Sequence, residues 1–384
     1  MDIDNYNDIA PFSDEEAAAA LARLANHPNV PWISKFIFRN RPETYLRDIL
    51  RQIHTVDEFQ KVVMSYAIEW VIKNTVHNFS YDGLSKLEAV NGKYLAMSNH
   101  RDIILDPAFL QIILHWNNLP MTQICVGDNL LKHKSVELLI RSNRMIKVIR
   151  GISARELYLS SLHLSEYIRQ SITSGTSSVW IAQRQGRTKD GLDMTEQGLL
   201  KMFDMSGTKD FVQNFLELNI LPLSISYEYE PCDILKAREV LISRTQKYVK
   251  TENEDLQSIM LGIKQPKGNV HLNFGDPLTE EEIIEASLCD KNDRYQKIRH
   301  ALDRRIIKGY KLWKTNYIAY DLMNGTSAFA DKYTQEEVKA FQEYMKGQLQ
   351  MVEHELDRTA LEDIFLHIYG NPVASFLSLE KEEV

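Results

Sequence analysis

The chain has 384 residues, more than the ~250–300 that one hydrophobic core usually serves, so two or three structural units are expected. Hydrophobic residues make up 44% and charged residues 26%, which is ample for a packed interior. A formal net charge of -8 argues against nucleic-acid binding through bulk charge.

Residues 1–85 are expected as an N-terminal helical region. The opening Met1-Asp-Ile-Asp-Asn-Tyr-Asn-Asp8 is acidic and lacks the positive start and apolar core of a signal peptide. Ser13-Asp-Glu-Glu16 is a capping box that opens an alanine-rich helix to about His27. Apolar residues at helical spacing (Phe59, Val62, Val63, Tyr66, Ala67, Trp70, Val71) predict a helix over 56–77.

Between 86 and 276 the period changes, and short apolar runs alternate with helices. Strands are expected at 93–97, 122–126, 146–149, 178–182, 220–226 and 269–274, and helices near 107–116, 135–142, 153–173, 196–204, 208–218 and 234–248. Ser153-Ala-Arg-Glu156 repeats the capping-box pattern. Strands separated by helices imply an α/β fold, with a mixed, largely parallel sheet flanked by helices. Over 277–384 the strand signals stop, and a C-terminal helical region is expected, with helices at 279–287, 292–313, 334–353 and 358–369. Asn324-Gly325-Thr-Ser breaks that pattern, and Glu380–Val384 is expected to fray.

No run approaches the ~20 apolar residues that span a bilayer; the longest, 107–114 and 219–227, suit a buried helix and a buried strand. Cys125, Cys232 and Cys289 are far apart and form no CxxC pair, which argues against a disulfide framework or zinc ribbon and suits the reducing cytoplasm. No Walker A loop, Rossmann glycine fingerprint or H-E-x-x-H occurs, so neither a metal nor a bound cofactor is implied.

One stretch suggests chemistry. Ser98-Asn99-His100-Arg101-Asp102-Ile103-Ile104-Leu105-Asp106-Pro107 follows the strand 93–97 and precedes a helix-like run to Trp116. A histidine with a carboxylate nearby can form a base and its orienting partner. At about 100° per residue, Asp102 and Asp106 would stand about 200° and 240° from His100 on one regular helix, so the turn must be irregular. Asp106-Pro107 supplies a break, with Asp as N-cap and Pro at the first helical position. That places His100 in the preceding loop, at a sheet edge of the kind where open α/β folds bind ligands. The plain alternative is a solvated loop histidine, with Asp106 only a cap and Asp102 only a surface charge.

Here the sequence resembles the glycerolipid acyltransferase superfamily, the glycerol-3-phosphate and lysophosphatidate acyltransferases. Their first motif, N-H-x-x-x-x-D often followed by Pro, is similar to Asn99-His100-Arg-Asp-Ile-Ile-Leu-Asp106-Pro107, with one extra residue. Their second, an apolar stretch ending in Arg, matches Met145-Ile-Lys147-Val-Ile-Arg150-Gly151. Their third, E-G-x-R after a strand, matches Val179-Trp-Ile-Ala182 leading into Gln183-Arg184-Gln185-Gly186-Arg187-Thr188-Lys189. Their fourth, an apolar strand with Pro, matches Ile220-Leu-Pro222-Leu-Ser-Ile-Ser226. The likeness covers about 90–230 and departs twice. The histidine-to-aspartate spacing is longer, leaving Asp106 as the favoured partner and Asp102 as the alternative. Gln185 stands for the glutamate, and Arg187 directly follows Gly186.

The resemblance implies an acyl transfer from acyl-CoA or acyl carrier protein to a hydroxyl of glycerol-3-phosphate or a lysophospholipid. His100 is the general base, Asp106 holds its tautomer, and backbone N–H groups near the helix start are candidate oxyanion donors. Arg150, Arg184, Arg187 and Lys189, with Lys147 near, are the candidate phosphate ligands. Gln185 keeps open a lyso-aminolipid acceptor or a non-catalytic lipid-binding protein on a degenerate core. An unrelated α/β hydrolase lacks support, since no G-x-S-x-G is present. Peripheral membrane contact is expected at Pro31–Arg41 and at Lys308–Tyr317, which mix aromatic and basic residues.

Overall fold

A computed structural model describes residues 3–90, 92–131, 133–150 and 153–382; Gly151 of the second block lies outside them. Seven strands form one sheet: β1 (Val76–Asp82), β2 (Leu95–Ser98), β3 (Gln123–Gly127), β4 (Met145–Val148), β5 (Val179–Ala182), β6 (Ile220–Tyr227) and β7 (Gly268–Phe274), in the order β1-β7-β6-β2-β5-β3-β4. Every neighbouring pair is parallel except β6 with β7. The fold is α/β, with helices over both faces of this sheet.

The central strands are buried on both sides, as parallel sheets require. In β2, Leu95 and Met97 face a cluster with Ile146, Ile168, Val179, Phe203 and Ile220, while Ala96 faces Leu110, Trp180 and Leu221 on the other side. The first cluster also holds Ile9 and Ala10 from the N-terminus and Tyr295, Ile298 and Leu302 from the helix Asp293–Lys308. Both flanking regions therefore pack directly on the sheet. Among the described residues no helix is long and apolar enough to cross a membrane.

Several elements differ from the sequence reading. The helix expected over 56–77 ends at Thr75, and β1 follows it, paired in parallel with β7. Its alternation, with Phe79 and Tyr81 against the core between polar neighbours, is a strand period hidden behind a helical one. The edge of the sheet thus comes from a segment expected to be helical. A second difference is the helix Glu254–Lys264, between β6 and β7, where no element was expected. Third, the helix expected over 292–313 stops at Lys308, and a separate helix Lys314–Asn324 follows, ended by Gly325 in the left-handed conformation (φ 62°). The last helix, Arg358–Glu382, runs well past the expected 369 and carries Pro372 within it.

Candidate active site

Because β2, β5, β3, β4 and β6 run in one direction, their C-terminal ends share an edge of the sheet. The four sequence blocks leave the sheet at that edge. β2 pairs with β6 only from Leu95↔Ile220 to Ser98↔Leu223, while β6 continues to Tyr227. Asn99 fills the gap: its carboxamide accepts from the Ile225 N–H at 2.8 Å and donates to the Ile225 carbonyl at 3.0 Å. A side chain thus completes a ladder that the backbone has left, and its amide also donates to Asp193 at 2.9 Å.

The next residues turn tightly. His100 Nδ1 lies 2.9 Å from Asp106 Oδ2, and the same oxygen accepts the backbone N–H groups of Arg101 at 2.6 Å and Asp102 at 2.9 Å. The other oxygen, Oδ1, accepts the Tyr227 hydroxyl at 2.7 Å. Asp106 is 2% exposed, so its charge is held by four donors rather than by water. The imidazole keeps 14% of its side-chain surface open. With Nδ1 turned to a carboxylate, the proton sits on Nδ1, and Nε2 is left as the basic nitrogen.

Asp102 has another task. Its Oδ1 accepts the N–H groups of Ile104 at 2.9 Å and Leu105 at 2.8 Å, capping the helix Leu105–Trp116. This helix begins two residues before the expected Pro107, so Asp106 lies in its first turn and is not its N-cap. Burial, then the neighbouring Asp106 charge, raise the Asp102 carboxyl above the usual range. The two carboxylates consume the N–H groups of Arg101, Asp102, Ile104 and Leu105. Those donors, expected for an oxyanion, are not free for one.

The candidate phosphate ligands divide. Arg187 is buried; its Nη2 reaches Ser258 Oγ at 3.3 Å, and its Nη1 has no acceptor among the described residues. Arg184 is half-buried, with Nε likewise lacking an acceptor. Arg150 lies against Gly127, where an added Cβ would stand 3.0 Å from its Cζ. Burial lowers the Arg150 pKa, opposed by the charges of Asp128, Glu196 and Asp255. Lys189 instead forms an ion pair with Glu239, and Lys147 is half-buried beside the N-terminal segment, its N–H bonded to the Ile9 carbonyl at 2.9 Å. Gly186 has φ 76°, a left-handed turn that suits glycine, and Gln185 is exposed. Pro222 lies within β6, where its carbonyl accepts from Gly275 at 2.8 Å just past the last β7 pair, Leu223↔Phe274. Its missing N–H therefore falls outside the ladder.

Sequence reasoning missed the groups that hold this loop from behind. Asp193, fully buried, takes Asn99, Arg101 Nη2 at 2.6 Å, Thr188 Oγ1 at 2.6 Å and Tyr310 Oη at 2.6 Å. Arg101 also lies 3.5 Å from Glu230, which pairs with the buried Lys236; the Lys236 ammonium donates to the Arg101 carbonyl at 2.7 Å. The Arg101 charge lowers the Asp193 carboxyl in spite of its burial. Helix Glu254–Lys264 closes over the same loop: Gly262 packs on Asp102, and a Cβ there would stand 2.3 Å from Asp102 Oδ2. Nothing local in the sequence marks Asp193, Glu230 or Lys236, since each is recognisable only by a partner far along the chain.

No family model and no curated protein sequence matches the chain. Among solved structures, it is similar to the 1-acyl-sn-glycerophosphate (LPA) acyltransferase PlsC from Thermotoga maritima, at 14% identity and a TM-score of 0.40, over 76% of this chain and 94% of that one. So loose an overlay assigns no residue a role.

Proposed function

We propose that the chain is an O-acyltransferase that moves a fatty acyl group from an acyl thioester to a hydroxyl of glycerol-3-phosphate or a lysophospholipid. The observation that carries this reading is the 2.9 Å contact of His100 Nδ1 with a buried, fully hydrogen-bonded Asp106 at the C-terminal edge of the sheet. His100 Nε2 takes the proton of the acceptor hydroxyl as its oxygen attacks the thioester carbonyl. The tetrahedral intermediate collapses, the C–S bond breaks, and the leaving thiolate takes the proton back from the imidazolium. Asp106 keeps its hydrogen bond to Nδ1 throughout and stabilises the imidazolium. Arg184 and Arg187, each with a buried N–H that no group among the described residues accepts, are suited to hold a phosphate, and Arg150 stands at the same edge. Lys189, already paired, is dropped from that set.

The acyl chain that passes from the donor to the product implies a lipid surface. Segment Pro31–Arg41 supports that contact: Trp32 is 56% exposed and stacks on Phe36, Tyr66 is 55% exposed, and the Arg39 guanidinium lies over Trp70. Segment Lys308–Tyr317 does not, because its Tyr310 turns inward to Asp193.

Purified protein given acyl-CoA and an acceptor panel should release free thiol and yield acylated product by mass spectrometry, and His100→Ala should lower the rate about a hundredfold or more. Equal rates in both proteins would remove His100 as the base, and no thiol release from the wild type with any acceptor would leave only a lipid-binding role. Vesicles containing anionic phospholipid should sediment the protein, and Trp32→Ala with Tyr66→Ala should weaken that; absence of lipid-dependent pelleting removes the surface contact.

A further inference from the structure

Tyr227 is named by no sequence block, yet its hydroxyl makes the only hydrogen bond to Asp106 Oδ1 among the described residues. We infer that Tyr227 is the positioning residue of this site, locking the Asp106 carboxylate toward His100 and setting how strongly that carboxylate attracts the imidazole proton. The inference rests on the acyl-transfer reading for its consequence in catalysis, and on geometry alone for its effect on the His100–Asp106 pair.

Three observations converge. First, the strand register places the phenol. β6 outruns β2 by four residues, from Leu223 to Tyr227, and this overhang brings the ring beside the turn that carries Asp106. β7, paired with β6 from Phe274 to Val270, backs the overhang as far as Tyr227 itself. Second, the ring is 3% exposed and packs near Phe109, 6.2 Å between centroids, so the hydroxyl has no water to turn to. Third, its direction of donation is settled. Burial, then the nearby Asp106 and Asp102 charges, raise the Tyr227 hydroxyl well above its ordinary range, so it stays protonated and can only donate to a carboxylate.

The consequence follows from the count of donors. Oδ2 already carries three N–H contacts, including His100. Without a partner on Oδ1, the carboxylate is held through Oδ2 alone, and more of its charge is available to the imidazole. A hydrogen bond to an anion delocalises its charge and lowers its proton affinity. Tyr227 thus serves two ends: it fixes the angle of the pair, and it shares the Asp106 charge that would otherwise bear more strongly on the imidazole. Other charged groups around this loop are Arg101 and Asp102 within it, Asp193 behind it, Glu230 and Lys236 beyond β6, Arg187 after β5 and Lys267 ahead of β7. Deleting one hydroxyl leaves all of them in place.

The test is Tyr227→Phe in the full chain, read in two ways. In protein carrying 13C-labelled histidine, the His100 ring signal is identified by its loss in His100→Ala and followed against pH. The midpoint of its titration should move up by about half a unit to one unit in Tyr227→Phe. In parallel, the acid limb of the kcat/KM profile should move the same way, and kcat should fall about tenfold with KM within about twofold. Thermal unfolding of Tyr227→Phe, and retention of the other histidine signals, report whether the fold is kept. If the variant unfolds, Tyr227→Phe combined with Asp106→Asn against Asp106→Asn alone serves in its place: a positioning role predicts no further change in kcat. An unmoved or lowered His100 midpoint in a folded variant overturns the inference, as does a further loss of kcat in a double variant that keeps the melting temperature of Asp106→Asn. If the wild type cleaves no thioester with any acceptor, the acyl-transfer reading fails by itself, while the His100 titration still decides the part played by Tyr227.

Discussion

Two aspartates flank the same loop, and they differ in what each carboxylate accepts. Asp106 binds the imidazole and two loop N–H groups, whereas Asp102 binds only the first N–H groups of the helix and sits under Gly262. Asp106→Asn should therefore lower kcat by about a hundredfold or more, because an amide cannot hold the imidazole in the needed tautomer. Asp102→Asn keeps the carbonyl that caps the helix and removes a buried charge facing Asp106. It should leave kcat within about threefold and stability unchanged or raised. Asp102→Ala removes the cap as well and should cost about 1–2 kcal/mol in urea unfolding. A loss of activity in Asp102→Asn equal to that in Asp106→Asn would reverse these roles. The sequence narrowed the partner to these two acids and no further. Their angles on an ideal helix, about 200° and 240° from His100, do not separate them, since the loop between is not helical.

At the scale of elements, the site depends on two devices with no local signature. One is the overhang of β6 past β2, bridged by the Asn99 carboxamide. The apolar run 219–227 announced the strand, but how far it outruns its neighbour is a matter of register between residues ~125 apart in sequence, and of nothing nearer. The other is the helix Glu254–Lys264, whose Gly262 allows its backbone to approach Asp102 and whose Ser258 meets Arg187. Its composition is mixed, so periodicity did not reveal it; what selects it is the surface that it covers. Gly262→Ala places a Cβ 2.3 Å from Asp102 Oδ2 and should destabilise by about 1–3 kcal/mol, read as a lowered midpoint in thermal or urea unfolding. An unchanged midpoint would show that this helix is not held against the loop.

At the scale of the molecule, the C-terminal helices are tied to the sheet through buried polar groups as well as apolar ones. Tyr310 reaches Asp193 behind the His100 loop, and Asp233 accepts the hydroxyls of Tyr344 at 2.8 Å and Tyr369 at 2.7 Å. Burial outweighs these hydrogen bonds and pushes the Asp233 carboxyl up to about 6. An acid whose folded value is raised holds its proton more tightly when folded than when unfolded. Its contribution is most favourable below the unfolded value of ~3.9 and is lost as pH rises through the folded value of about 6. Asp233→Asn keeps an acceptor for both tyrosines and cannot ionise. The stability of the wild type relative to Asp233→Asn, from urea unfolding, should therefore fall as pH rises from about 4 to about 6 and then level off. A difference constant across that window would show that Asp233 does not titrate with unfolding.

The sequence by itself determined the α/β class, six of the seven strands and the identity of the histidine loop. These are encoded locally, in hydrophobic period and in residues that stand next to one another. Only the tertiary structure decided which aspartate meets His100, which arginines keep an N–H without an acceptor among the described residues, and which buried side chains brace the loop from β6 and the C-terminal helices. Those are contacts between segments that a chain brings together only by folding, and their partners carry no mark in the sequence around them.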